Sequence, residues 1–133
     1  MSKPELLYLH VCDDVRKEIN GKISLIGIYD SLVFSEIPSV VPKLYFYCGF
    51  SNVHKEHIFD FFLKSPSGET LKLIQNARCE DKGVFSIAAS PFEINETGDY
   101  EIIINITDVK GENRSANYML YKYNRTFKVI IEV

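Results

Sequence analysis

Asp13, Asp14 and Arg16 lie close together in the sequence, just before an Asn20-Gly21 pair, and could form a chemical site. An arginine can hold an anionic ligand or a partner's carboxylate through paired hydrogen bonds. Two carboxylates can also bind a divalent cation, but such a site needs more oxygen ligands than this segment offers. We therefore treat the three residues as a candidate polar site. The alternative, which we favour, is that they shape a strand and satisfy one another's charges.

The histidines and cysteines do not follow a recognisable catalytic or metal-binding pattern. His54 and His57 have the spacing His-x-x-His, which predicts a zinc site only where cysteine or carboxylate ligands converge on it. His10 and Cys12 would share one face of a strand, yet no third residue marks a positioned nucleophile. The sequence also contains no glycine-rich phosphate loop and no nucleophile elbow. We therefore predict a protein that is not an enzyme and that uses no cofactor and no metal.

A second candidate surface is the tyrosine-rich segment 108–125, which is long for a hairpin connection. Tyrosine, asparagine and arginine on a loop make adaptable recognition surfaces. The candidate partner-binding residues there are Arg114, Tyr118, Tyr121, Tyr123 and Arg125. The alternative is that residues 116–124 begin the last strand and their tyrosines cover the edge of the core. Tyr45 and Tyr47, which alternate along one strand, would extend the surface.

Charge and hydropathy limit the class of partner. The formal net charge is -3 and the pI about 5.6, so the electrostatic attraction that drives nucleic-acid binding is weak and a nucleic-acid partner is not expected. No run approaches the roughly 20 apolar residues of a membrane-spanning helix, and the first residues do not have the form of a signal peptide. Three scattered cysteines fit free thiols in a reducing compartment. We predict a cytoplasmic protein that does not enter a membrane.

The elements that must position these residues are strands. Apolar and β-branched runs recur every 8 to 12 residues or so, and no segment keeps a helical period, which favours an all-β sandwich. Gly98-x-Tyr100 before a strong strand has the spacing of a tyrosine corner, in which the hydroxyl bonds back to the backbone. We predict one domain over residues 1–133, an immunoglobulin-like two-sheet sandwich of about eight or nine strands with an N-terminal β-hairpin. Segment 36–42 is expected to be a loop because of Pro38 and Pro42.

Asn20-Gly21 is a strong signal for a two-residue hairpin loop. Such a loop would place Arg16 opposite Leu25 and Asp14 opposite Gly27, where the missing side chain leaves room for a carboxylate. A β-bulge at Asp13-Asp14 would turn one carboxylate to backbone N–H groups and the other to Arg16 or Lys22.

This segment resembles the opening of a family of uncharacterised bacterial proteins. The matching residues are Cys12-Asp13-Asp14-Val15-Arg16, Gly21-Lys22 and Ser24-Leu25-Ile26-Gly27. The resemblance is strong over roughly the first third of the chain. It implies a small bacterial β-sandwich of unknown role, and it supplies no catalytic residues.

The leading hypothesis is a non-catalytic interaction module that binds a protein partner or associates with itself, because a tyrosine-rich loop on a rigid scaffold stands beside no catalytic group. One alternative is a small-ligand or nucleotide sensor that uses Asp13, Asp14 and Arg16. A further alternative is an enzyme of an unrecognised kind.

Overall fold

The structure is a computed structural model that describes residues 4–53, 57–78, 83–89, 91–108 and 119–131. Within these ranges it contains no helix, so the predicted all-β class is confirmed. The strands are β1 (Glu5–Lys17), β2 (Ile23–Ile28), β3 (Ser31–Phe34), β4 (Ser39–Val41), β5 (Leu44–Ser51), β6 (His57–Lys64), β7 (Thr70–Ala77), β8 (Val84–Ala89), β9 (Phe92–Ile94), β10 (Gly98–Asp108) and β11 (Met119–Ile131).

Two larger sheets carry most of these strands. The first sheet has the order β2-β1-β5-β8, and the second has the order β3-β11-β10-β6-β7. Strands β4 and β9 form a small separate pair. Neighbouring strands are antiparallel except for β3, which runs parallel to β11 at the edge of the second sheet.

The core is built from side chains of both larger sheets. In β5, Leu44, Phe46, Cys48 and Phe50 are buried because alternate side chains of a strand point to one face. Aromatic rings meet between the sheets: the ring centroids of Phe59 in β6 and Phe85 in β8 are 4.6 Å apart. Phe46 and Phe127 make a similar contact at 6.0 Å. The inward faces of the two sheets therefore pack against each other.

The predicted tyrosine corner is present at the start of β10. Tyr100 is buried, and its hydroxyl donates a hydrogen bond of 3.0 Å to the carbonyl oxygen of Glu96. Its ring stacks on Phe127, with 5.4 Å between the centroids. The hydrogen bond satisfies the hydroxyl, so the ring can pack in the core without leaving a polar group unpaired.

The structure has eleven strands in its described residues, which is more than the eight or nine predicted. Two of the additional strands are short. Segment 36–42 was expected to be a loop, but Ser39–Val41 forms β4 between the two prolines. Segment 84–94 contains β8 and β9 on either side of Pro91, which lacks the N–H that a sheet ladder needs.

The first strand leaves the body of the protein. β1 runs without interruption from Glu5 to Lys17. Its pairing with β5 ends at Cys12, which faces Tyr45, and residues 13–17 pair with β2 alone. None of residues 13–28 is buried. We call this hairpin, residues 13–28, the arm.

Candidate interaction surface on the arm

The tip of the arm is a three-residue loop rather than the predicted two-residue loop. The Glu18 N–H donates to the Lys22 carbonyl at 2.7 Å, and the Gly21 N–H donates to the Glu18 carbonyl at 3.0 Å. Gly21 has a φ of 84°, which glycine adopts at little cost. This is a turn followed by a glycine bulge. The predicted register is therefore wrong by one residue: Arg16 lies opposite Ser24, and Asp14 lies opposite Ile26.

Asp14 and Arg16 form an ion pair on one face of the arm. The Nε atom of Arg16 donates to an Asp14 carboxylate oxygen at 3.0 Å. The other oxygen accepts the backbone N–H of Val15 at 3.0 Å. The hydrogen bond from Arg16 is the main reason that the pKa of Asp14 is lowered. The prediction that one aspartate binds Arg16 is confirmed, and that aspartate is Asp14. The backbone N–H was expected to bind the other aspartate, but it also binds Asp14.

Asp13 points to the opposite face, because successive side chains of a strand alternate. Its carboxylate accepts a hydrogen bond from the hydroxyl of Tyr29. It lies over Gly27, where a Cβ atom would overlap it. A glycine opposite an aspartate thus does make room for a carboxylate, but the aspartate is Asp13. The irregular residue is Gly27, with a φ of 67°, and no register shift occurs at Asp13-Asp14.

The three residues of the candidate polar site therefore do not converge. Asp14 and Arg16 are together, whereas Asp13 is bound elsewhere by Tyr29. The hydroxyl of Tyr29 has a pKa raised to about 12, first by burial and then by its hydrogen bond to Asp13. Its backbone N–H also donates to the Val11 carbonyl at 2.8 Å, which fixes the base of the arm to the body.

Four isoleucine side chains are exposed on the arm. Ile19, at the tip, has a relative exposure of 108%, as much as in an extended peptide. Ile23, Ile26 and Ile28 on β2 are exposed as well. Single exposed apolar residues are common, but four on one short hairpin are more than is usual, and such groups are typical of binding surfaces. By their register positions Ile26 and Ile28 share one face, whereas Ile23 lies on the other.

An aromatic group continues this surface across the first sheet. The rings of Tyr8 and His10 are stacked with 5.8 Å between their centroids, and the rings of Tyr8 and Tyr47 with 5.9 Å. Burial and the nearby Tyr47 raise the pKa of Tyr8. Tyr8, His10 and Tyr47 occupy the same face as Ile26 and Ile28 by their register positions.

The tyrosine-rich segment is only partly within the described residues. Arg114 and Tyr118 lie outside them, and Tyr121 is placed only by its backbone, opposite Ile106. Tyr123 packs on Phe50, with 6.1 Å between ring centroids, and its hydroxyl donates to the Pro4 carbonyl. Arg125 is exposed and donates to the Asn124 carbonyl at 2.9 Å. Tyr123 therefore supports the alternative in which these tyrosines cover the core.

The described histidines and cysteines do not form a metal centre. Among the described residues, no three histidine, cysteine, aspartate or glutamate side chains are grouped to hold a metal ion. His57 is buried, and His54 and Cys79 lie outside the described residues. Cys12 and Cys48 are buried, and burial raises the pKa of Cys12. The described part of the chain contains no helix long and apolar enough to cross a membrane.

Sequence reasoning missed the exposed isoleucines. The run Ile23–Ile28 has high β propensity and is apolar, and this pattern does not tell whether the strand is covered or exposed. The signal that could have revealed the arm is its position, since a strong turn at Asn20-Gly21 joins β2 to a strand whose end is rich in charge.

Comparison with known proteins assigns a family but no activity. The chain belongs to a family described as a family of unknown function (DUF6941), whose model matches residues 7–116, more than half of the chain. This range includes the whole arm. No curated protein matches the chain significantly. The expected membership of a family of unknown role is confirmed, while the bacterial origin and the N-terminal motif remain predictions.

Proposed function

We propose that this protein is a non-catalytic, cytoplasmic interaction module and that the arm is its binding element, for a protein partner or for a second copy of the chain. The observation that carries the proposal is the exposure of four isoleucines on a hairpin outside the core. Removing a large aliphatic side chain from water stabilises a complex by about 1.5–3 kcal/mol. Two or three such side chains can anchor an interface.

The arm is held in shape before any partner arrives. The glycine-bulge turn closes its tip, and the hydrogen bond from Tyr29 to Asp13 fastens its base, while the ion pair of Asp14 and Arg16 links two residues of the same strand. An isolated two-stranded hairpin is only marginally stable in water, so these bonds matter. A preorganised hairpin loses less conformational freedom on binding than a flexible loop, which favours affinity.

We further propose that the body that carries the arm is an immunoglobulin-like sandwich in a single domain. Strands β1, β5 and β8 have the order of strands A, B and E, and β6, β10 and β11 have the order of C, F and G, with β7 as C′. The tyrosine corner at the start of β10 is also typical of strand F. In this arrangement β2 is an addition beside strand A, which supports a specialised role for the arm.

The proposal is tested by replacing the isoleucines with serine. The variant Ile19→Ser/Ile28→Ser should lose bound protein in affinity capture from native lysate, since burial of two isoleucines is removed. The matched control is Leu7→Ser/Val33→Ser, which removes two exposed apolar side chains outside the arm. Thermal unfolding of both variants checks that each is folded. The proposal is overturned if the arm variant retains the same bound proteins, its own chain included, as the wild type and the control.

A further inference from the structure

We infer that the occupant of the arm is a second copy of this chain, with the tip of each arm seated in an acidic cleft of the other copy. This inference rests on the proposed function, because it names the partner of the same arm. It follows from the shape and charge of the tip and of the cleft. Among the described residues, no hydrogen bond or ion pair joins the tip to the cleft within one copy.

The cleft has a volume of about 270 Å³ and lies beside the tyrosine corner. Its floor is apolar, formed by Leu63, Phe92 and Tyr100, which are all buried residues. Leu71 adds an exposed apolar wall. Sites for drug-sized ligands generally begin at about 300 Å³, so a cleft of this size suits one large side chain with its neighbours better than a cofactor.

The rim of the cleft is acidic and fixed in place. Glu69, Glu93 and Glu96 line it, and no lysine or arginine is among its lining residues. Glu96 accepts hydrogen bonds from the backbone N–H of Ser67 at 3.0 Å and from its hydroxyl at 2.9 Å. These bonds tie the turn between β6 and β7 to the loop before β10. The cleft is thus preformed, as a docking site for a rigid tip requires.

The tip of the arm complements this cleft. Ile19 is a fully exposed apolar side chain; Lys17 is the last residue of β1, and Lys22 comes directly before β2. Segment 17–22 has two lysines and Glu18, a net charge of +1, against three carboxylates and a charge of -3 in the cleft. An apolar anchor with basic neighbours therefore meets an apolar floor with an acidic rim, which favours this pairing over like-charged alternatives.

The topology allows each copy to place the tip of its arm in the cleft of the other copy. The arm leaves the body after Cys12, which faces Tyr45 near the start of β5. The adjoining strand β8 ends at Ala89, opposite Leu44, and leads to β9, whose Phe92 is in the floor of the cleft. Arm and cleft thus belong to the same end of the molecule. Two copies related by a two-fold axis at this end would each place a tip in the other's cleft, a closed arrangement.

The arm is long enough for its tip to reach the cleft of a second copy. Seven residues, 13–19, separate the body from the tip, and a strand rises about 3.3 Å per residue, so the tip reaches roughly 20 Å beyond Cys12, where pairing with β5 ends. Because each dimer contains the contact twice, a modest single contact is reinforced once the first tip is seated.

The first test measures self-association by analytical ultracentrifugation at low salt. We expect the wild type to dimerise in the micromolar range and Ile19→Asp or Leu71→Asp to weaken the dimer at least tenfold. Val33→Asp, on the distant edge strand β3, is the matched control and should leave the dimer unchanged.

The second test is a charge exchange across the interface. Lys22→Glu and Glu93→Lys should each weaken the dimer about tenfold, and an equimolar mixture of the two variants should form a heterodimer more readily than either forms a homodimer. Both residues are exposed, so the variants should fold normally. A dimer that responds to Ile19→Asp but not to Leu71→Asp or Glu93→Lys overturns the cleft as the docking site and leaves the proposed function standing.

The inference and the proposed function fail in different ways. The inference is overturned if the wild-type protein stays monomeric at protein concentrations 100-fold above the micromolar range. If Ile19→Ser/Ile28→Ser then still loses a captured protein of another kind, the proposed function stands. If capture and self-association are both unaffected by the arm variants, both proposals are overturned.

Discussion

At the scale of single residues, Asp13 and Tyr29 fasten the base of the arm. Tyr29 donates its hydroxyl to Asp13 and its backbone N–H to Val11. The position opposite Asp13 must be glycine, since a Cβ atom at Gly27 would overlap the carboxylate. A carboxylate that had been considered as a ligand-binding group is therefore part of the support of the hairpin.

The titration of Tyr29 provides the first prediction. Its pKa is raised from 10.0 to about 12 by burial, by the hydrogen bond to Asp13 and by nearby negative charge. A phenol whose pKa is higher in the folded state stabilises that state fully below pH 10 and loses this contribution as the pH rises towards 12. We expect Asp13→Asn to lower the pKa of Tyr29, although burial keeps it above 10, as followed by NMR of ¹³C-labelled tyrosine.

The control for this titration is Asp14→Asn, because the Asp14 carboxylate is bound to Arg16 and Val15 on the other face. It should leave the pKa of Tyr29 unchanged. An unchanged pKa in Asp13→Asn would mean that burial alone produces the shift.

At the scale of elements, the sequence predicted the strands that form the core more closely than those at the edges. The alternation of Leu44, Phe46, Cys48 and Phe50 identified β5 because burial on one face imposes a period of two. The tyrosine corner was recognisable because its spacing is local. The short pair β4–β9 was not, since three-residue strands depend on a partner brought from far along the chain.

The arm shows why the candidate site was harder to predict. Asn20-Gly21 suits a two-residue turn with both φ angles positive, but it equally suits a turn in which glycine alone has a positive φ. In the structure only Gly21 of the pair has one, and the register moves by one residue. An apolar strand such as β2 also has the same pattern whether a second sheet covers it or not, so the exposure of Ile26 and Ile28 follows from tertiary structure.

The second prediction compares two glycines of the arm. Gly27→Ala should destabilise the hairpin by about 1–2 kcal/mol through its positive φ, with a further cost from overlap with Asp13. That range corresponds to a roughly 5- to 30-fold larger population of the open hairpin, and hence to faster amide exchange. Hydrogen exchange of the Tyr29 amide, which is bonded to Val11, measures it.

Gly21→Ala is the matched control, since its φ is also positive but no atom lies within 4 Å of an added Cβ. The variant Asp13→Ala/Gly27→Ala should recover the part of the loss that is due to overlap. Equal losses in Gly27→Ala and Gly21→Ala would show that the overlap with Asp13 has no energetic effect.

At the scale of the whole molecule, the chain has a well-buried body and an arm that shares none of its core. Among the described residues, every buried apolar residue lies outside residues 13–28. Free energies of local opening are low where few apolar contacts are made and approach the global value in core strands. The arm should therefore open more readily than the body, with Cys12 at the boundary between the two.

The third prediction uses the two buried thiols to measure this difference. Cys12 and Cys48 are both fully buried, but Cys12 lies between Ile28 of the arm and Tyr45 of the body, whereas Cys48 lies in the central part of β5. With Cys79 replaced by serine, Cys48→Ala leaves only Cys12 to label, and Cys12→Ala leaves only Cys48.

We expect a thiol reagent to modify Cys12 faster, with a rate that depends weakly on urea because arm opening exposes little surface. Labelling of Cys48 should rise steeply with urea, since it requires unfolding of the body. Equal urea dependence for the two thiols would contradict the separation of arm and body, because both would then become accessible only when the whole protein unfolds.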